Sequence, residues 1–226
     1  MAIRIAREKL SQVFYQRCFY LFVVLLVFIA GVSFVPATPF GRLVIGGINA
    51  FLVVATVAAV GRTVLSFVIA LLLAGPALVF QYLGVTTGQA EPLAAAWLCD
   101  AALYATAVTY LLLYVFRPEV MTIDKLYGAA SSYLMLGVVW AYIYSLMDHF
   151  YPQSFSVGGK AAPLPPIDAL YFSFTVLTST GFGDIVPLAR QARAVCVVEQ
   201  VTGALFVAIL IARLAGVYLP VSRDRT

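Results

Sequence analysis

A short polar stretch, TSTGFGD, runs from Thr178 to Asp184 between two apolar segments. Its glycines, Gly181 and Gly183, permit positive φ without a Cβ penalty, so the backbone can alternate between left- and right-handed conformations. Such alternation turns consecutive carbonyl oxygens in one direction. A row of carbonyl oxygens that faces one axis is a ligand set for a hard cation stripped of its water.

The apolar segment before this stretch, DALYFSFTVL at 168–177, is too short to cross a bilayer, because a transmembrane helix needs about 20 residues. It predicts a re-entrant helix whose C-terminal end directs its partial negative charge toward the carbonyl row. Irregular backbone at membrane depth persists only where it is buried in protein or lines water. Because the sequence has one copy of the stretch, a cage of carbonyls requires several chains around an axis.

The composition indicates a membrane protein. The 226-residue chain is 63% hydrophobic and 11% charged, with a mean hydropathy of +0.99, whereas soluble domains carry about 25% charged residues. The net charge of +4 is modest, and no basic patch is interleaved with aromatic residues. Nucleic acid is therefore not an expected partner, and the lipid bilayer is.

The apolar runs predict an all-α fold with six transmembrane helices and one re-entrant pore helix. The predicted helices lie at about 18–36, 43–60, 63–83, 93–116, 127–150 and 193–219. Gly61 and Arg62 mark the turn between the second and third helices, and Pro118 follows the fourth. Most Lys and Arg residues of the loops fall on one side, which predicts a multi-pass cell-membrane protein with both termini in the cytoplasm.

Two units follow from this order of helices. Residues 1–117 form a predicted four-helix transmembrane unit, and residues 118–226 form a predicted unit around the re-entrant segment. From about Leu126 to Leu219, the chain resembles the pore domain of the tetrameric potassium channel family. The resemblance is in the order of outer helix, turret, pore helix, TSTGFGD and inner helix, and in the spacing from Pro187 to Gly203.

The resemblance implies a homotetramer of identical subunits that conducts K⁺ passively, with K⁺ as the permeant ion, no cofactor and no catalytic activity. It implies that one continuous segment forms the selectivity filter: Thr178, Ser179, Thr180, Gly181, Phe182 and Gly183. The K⁺ ligands in it would come from Ser179, Thr180, Gly181 and Phe182, and the Ser179 hydroxyl would complete the innermost site. Support from behind the filter would come from Asp184, Tyr171, Thr175 and Glu199.

Three filter positions depart from the family pattern. The family usually has Thr at the position of Ser179, Val or Ile at that of Thr180, and Tyr at that of Phe182. Serine lacks the methyl group that restricts the threonine rotamers, and Phe182 lacks a phenolic hydrogen bond. These differences leave two alternatives open: a weakly selective cation channel, and a non-conducting modulatory channel subunit.

The last helix carries a face of small and aliphatic residues. Gly203, Val207, Ile211 and Ala215 follow one another at i, i+4 spacing, and Ala204 lies beside them. This face predicts a hinge at Gly203 and a pore-lining surface with a constriction at Ala215 or Leu219. The alternative is ordinary helix packing.

Two carboxyl groups lie inside apolar helices, where ionisable side chains are candidates for function. Glu199 comes one turn before Gly203, and we expect it to face the pore helix or a neighbouring chain. It is either a neutralised carboxyl that is hydrogen-bonded to Ser173, Thr175 or Thr202, or a group that couples the filter to the inner helix. For Asp100, the expected partners are Arg42, Asn49 or threonines of the four-helix unit.

The fourth helix has no Lys or Arg between Leu93 and Phe116, whereas a voltage sensor needs several gating charges. The sequence therefore predicts weak or absent voltage dependence. Two other classes fit poorly. An intramembrane serine protease needs a serine with a facing histidine, but the single histidine, His149, ends a helix. A transporter would show inverted repeats with broken helices in both halves.

Overall fold

The computed structural model describes residues 17–36, 38–60, 64–117 and 122–218. Four features of the sequence interpretation lie outside these residues: the turn at Gly61 and Arg62, the helix stop at Pro118, the candidate constriction at Leu219 and both termini.

Across the described residues, the chain forms seven helices and one small sheet. The helices are α1 (Arg17–Val32), α2 (Pro39–Val60), α3 (Val64–Thr87), α4 (Ala90–Val115), α5 (Ile123–Phe150), α6 (Pro166–Leu177) and α7 (Arg190–Tyr218). The strands are β1 (Phe155–Val157), β2 (Lys160–Ala161) and β3 (Ile185–Pro187).

Four helices, α3, α4, α5 and α7, are long and apolar enough to cross a membrane. The apolar parts of α1 and α2, Cys18–Val32 and Leu43–Ala58, are shorter, as is α6. The prediction of a helical membrane protein is confirmed. Six crossings, a re-entrant path for α6 and a tetramer remain predictions.

Several helix boundaries differ from the predicted ones by three or four residues, and two of these differences have a local reason. α5 begins four residues early, at Ile123, because Thr122 caps it: the Thr122 Oγ1 accepts the backbone N–H of Lys125 at 3.3 Å. α3 continues past residue 83 to Thr87 and ends at Gly88, which has φ +70° and donates its N–H to the Gly84 carbonyl at 3.0 Å. Such a left-handed glycine is a common helix stop.

The main hydrophobic core joins the four-helix unit, α1 to α4, to α5 and α6. Leu25 of α1, Leu52 of α2, Leu103 of α4 and Met135 of α5 are fully or almost fully buried in it, and Leu170 extends it to α6. The packing therefore runs continuously from the first helix to the helix that precedes TSTGFGD.

The small sheet was not predicted, since the sequence indicated only a Gly- and Pro-rich loop there. Gly158 and Gly159, at φ +58° and +82°, make the tight turn between β1 and β2. β1 also pairs antiparallel with β3, which begins directly after Asp184. In addition, the Gly158 N–H donates to the Asp184 carbonyl at 2.9 Å. The hairpin thereby holds the chain where it leaves TSTGFGD.

Candidate functional site

The backbone of TSTGFGD alternates in handedness along its length. φ is positive at Ser179 (+56°), Gly181 (+59°) and Gly183 (+81°), and it is not positive at Thr180 or Phe182. The glycine spacing predicts the positive φ at Gly181 and at Gly183. Ser179 extends the alternation by one step, although a non-glycine residue in this region costs about 1–3 kcal/mol and needs support from its surroundings.

The end of α6 provides that support. The Thr175 carbonyl accepts the N–H of Thr180 at 2.9 Å and that of Gly181 at 3.1 Å, and the Val176 carbonyl accepts the N–H of Ser179 at 2.9 Å. The last carbonyls of a helix have no partner within the helix, so the stretch satisfies them. Thr175 thus supports the stretch through its backbone. Its hydroxyl donates to the Phe172 carbonyl instead.

The threonine hydroxyls form a chain within the stretch. The Thr178 hydroxyl donates to the Phe174 carbonyl at 2.6 Å and lies 2.8 Å from the Thr180 hydroxyl. Because Thr178 has one hydroxyl hydrogen, Thr180 is the donor in the second contact. The extra hydroxyl of Thr180 is therefore hydrogen-bonded to Thr178, beside the backbone carbonyls of the stretch.

At the far end of the stretch, the ring of Phe182 is 69% exposed and stacks on Tyr171, with 6.3 Å between ring centroids. Asp168 lies in the first turn of α6, close enough to Asp184 for their charges to interact. Burial raises the pKa of the Asp168 carboxyl above its ordinary value, and the Asp184 carboxylate raises it further. Asp168 was not singled out from the sequence, although an acidic residue in the first turn of a helix indicates a charge at the helix N-terminus.

Glu199 of α7 is fully buried and joins three helices. The Ser173 hydroxyl of α6 lies 2.6 Å from Glu199 Oε1, and the Tyr144 hydroxyl of α5 donates to Oε2. Of the partners expected from the sequence, Ser173 is confirmed. Thr175 and Thr202, the other two candidates, do not bond to Glu199, because their hydroxyls donate to the carbonyls of Phe172 and Val198.

The Ser173 hydroxyl has two acceptors within reach, and one protonation state of Glu199 accommodates both. The Ser173 hydroxyl also lies 2.8 Å from the Gly137 carbonyl, which can only accept. Since Ser173 has a single hydroxyl hydrogen, it can donate to Gly137 and accept from Glu199. A protonated carboxyl that donates from Oε1 and accepts from Tyr144 at Oε2 satisfies every group.

Gly203 is buried at the contact between α7 and the end of α6. A Cβ atom there would collide with the Leu177 carbonyl oxygen, which also accepts the Tyr133 hydroxyl at 3.3 Å. The glycine is thus needed for close packing, and α7 passes through it without a break. A hinge at Gly203 remains a prediction. The four other residues of the predicted pore-lining face are exposed in the single chain: Ala204, Val207, Ile211 and Ala215.

Comparison with known proteins adds one match. Residues 129–219 match a protein-family model described as "Ion channel", and these residues include most of α5, the hairpin, α6, TSTGFGD and α7. Searches of curated proteins and of solved structures found no match. The part of the chain that builds the site is therefore similar to ion channels.

Proposed function

We propose that four copies of this chain form a potassium-selective ion channel that conducts K⁺ passively across the cell membrane. The observation that carries the proposal is the alternation of positive φ at Ser179, Gly181 and Gly183. It follows directly on a helix too short to cross the bilayer. In the proposed channel, this combination would bring a row of backbone carbonyls to membrane depth.

Four such strands around an axis would surround a dehydrated ion with oxygens from Ser179, Thr180, Gly181 and Phe182. The exposure of the stretch supports this assembly, because every residue from Thr178 to Asp184 is exposed in the single chain. Non-helical backbone exposed to lipid would leave peptide groups unsatisfied. Further copies of the chain and a water-filled pathway would remove that cost.

The inner helix supports assembly as well. Of the four membrane-crossing candidates, α7 is the least buried within its own chain, and it exposes large side chains such as Val197, Val201 and Leu205. A helix at the centre of a tetramer would contact other subunits with this surface. The four-helix unit would surround the pore without acting as a voltage sensor.

One observation favours a second candidate, a cation channel of low selectivity. The Thr180 hydroxyl adds an oxygen beside the backbone row, and an added oxygen is a possible ligand for a smaller ion. A non-conducting modulatory subunit is the third candidate, and it follows from the three filter residues that depart from the family pattern.

Reconstitution of the purified full-length chain in liposomes separates these candidates. We expect a K⁺ flux that Ba²⁺ blocks and that Gly181→Ala abolishes, because alanine is strained at φ +59°. Reversal potentials with K⁺ on one side and Na⁺ on the other measure selectivity. Near-equal permeabilities would support the second candidate, and an absence of flux from a correctly assembled tetramer would support the third.

A further inference from the structure

A cavity of about 380 Å³ lies between the four-helix unit, α5 and the first half of α6. Its size falls within the range of small-molecule sites, about 300–1,000 Å³. Most of its wall is apolar, with Val32, Trp97, Ala141, Ile167 and Leu170 among the lining residues. Apolar walls of this kind favour a ligand with an apolar body.

One side of the cavity is polar and is organised by Asn49, which is almost completely buried. The Asn49 Nδ2 donates to Gln81 Oε1 at 3.1 Å and to Asp100 Oδ2 at 3.0 Å. Its Oδ1 accepts the hydroxyls of Tyr142 at 2.8 Å and Tyr104 at 3.3 Å. Both hydrogens and both lone pairs of the amide are used, so Asn49 positions its neighbours and has no further capacity for a ligand.

Asp100 is the group on this wall that can still accept a hydrogen bond. It is 1% exposed, and its Oδ1 has no hydrogen-bond partner. Asn49 is confirmed as a partner of Asp100, whereas the side chain of Arg42 lies outside what the structure describes. Among the described side chains, no Lys, Arg or His pairs with Asp100. A buried carboxylate without a cation or a full set of donors is unfavourable.

We propose that this cavity binds a small apolar molecule carrying one ammonium group. The ammonium would donate to Asp100, and the apolar body would lie among the side chains of α4, α5 and α6. The Asp100 carboxyl would become the anionic partner of the ammonium, so the site would favour a cationic donor over a neutral one and would reject an anion. The site lies outside TSTGFGD, so it is separate from the proposed conduction of ions.

Three compounds with the same apolar cage and different head groups test this proposal. The full-length protein is placed in nanodiscs of phosphatidylcholine, a lipid without a primary amine. Equilibrium binding is then measured for 1-adamantylamine, 1-adamantanol and 1-adamantanecarboxylate. We expect the amine to bind at least about tenfold more tightly than the alcohol, from the strength of a charge-assisted hydrogen bond, and the carboxylate not to compete.

Variants locate the bound amine. Asp100→Asn is expected to weaken amine binding at least about tenfold and to leave alcohol binding unchanged. Ala141→Leu, which fills the cavity, should weaken both. Glu91→Gln on the same helix as Asp100 is the control, since Glu91 does not line the cavity, and it should change neither.

Absence of amine binding, equal binding of the three compounds, or an unchanged amine affinity in folded Asp100→Asn would each overturn the proposal. If Asp100→Asn does not fold, the comparison of the three compounds on the unaltered protein still tests the proposal. Because the assay measures binding alone, its result is independent of whether the chain conducts ions.

Discussion

Gly203 of the inner helix packs directly on the carbonyl oxygen of Leu177, the last residue of α6. The carbonyls of the preceding turn of α6 hold the start of TSTGFGD through backbone hydrogen bonds. We therefore expect a displacement of α7 at Gly203 to act on the helix end that holds the start of TSTGFGD.

This contact predicts that Gly203→Ala destabilises the protein. The added methyl group would collide with backbone, and overpacking of this kind costs roughly 1–3 kcal/mol. We expect a lower thermal unfolding midpoint and reduced K⁺ flux. Gly75→Ala in α3 is the matched control, because a Cβ atom there meets nothing within 4 Å. If Gly203→Ala alters flux while the unfolding midpoint equals that of the control, a hinge explains this glycine better than close packing.

The hydrogen count at Glu199 predicts different outcomes for two substitutions. Glu199→Gln keeps a donor for Ser173 and an acceptor for Tyr144, so stability and flux should stay close to those of the unaltered protein. Glu199→Ala leaves buried hydroxyls without partners, at about 1–3 kcal/mol per group, and should lower both. The measurements are thermal unfolding and liposome flux across the neutral pH range. Equal damage by both substitutions would indicate that Glu199 acts as a carboxylate.

The outer carboxyl groups predict a dependence on external pH. The pKa of Asp168 is raised, so on acidification this group loses its charge at a higher pH than an ordinary aspartate does. Its negative charge near Asp184 would attract cations to the filter, and single-channel conductance at low salt should fall as external pH is lowered. Asp168→Asn should remove this fall in conductance, and added salt should reduce it.

The exposed carboxylate of Glu91 provides the control for that experiment, since it lies in the first turn of α4 and belongs neither to α6 nor to TSTGFGD. Glu91→Gln should leave the pH dependence intact. A conductance with the same pH profile in Asp168→Asn and in the unaltered protein would rule out Asp168 as the titrating group.

The absence of basic residues in α4 predicts a conductance that is nearly independent of voltage. Each gating charge contributes about 2.3 kcal/mol per 100 mV, and from Leu93 to Phe116 the sequence supplies no Lys or Arg for this purpose. Planar-bilayer recordings over a range of voltages check this directly. A steep sigmoidal curve would show that charges elsewhere move through the field.

Much of the fold follows from local patterns in the sequence. Apolar runs predicted the helices to within a few residues, because helix formation in lipid depends on a sufficient length of apolar side chains. The glycine spacing at 181 and 183 predicted the alternation of the backbone, since glycine alone takes positive φ without steric cost. The boundaries at Thr122 and Gly88 differed, because a cap depends on the hydrogen bond or the φ of one residue, which a hydropathy pattern does not contain.

The sequence by itself thus determined the membrane environment, the helices, the positive φ at the two glycines of TSTGFGD and the lack of Lys and Arg in α4, all of which depend on neighbouring residues. Only the tertiary structure decided which distant groups meet. Tyr144 and Glu199 are 55 positions apart, and the pairing of β1 with β3 and the cavity beside Asp100 depend on several elements at once. Such contacts follow from helix packing, which no local period of the sequence encodes.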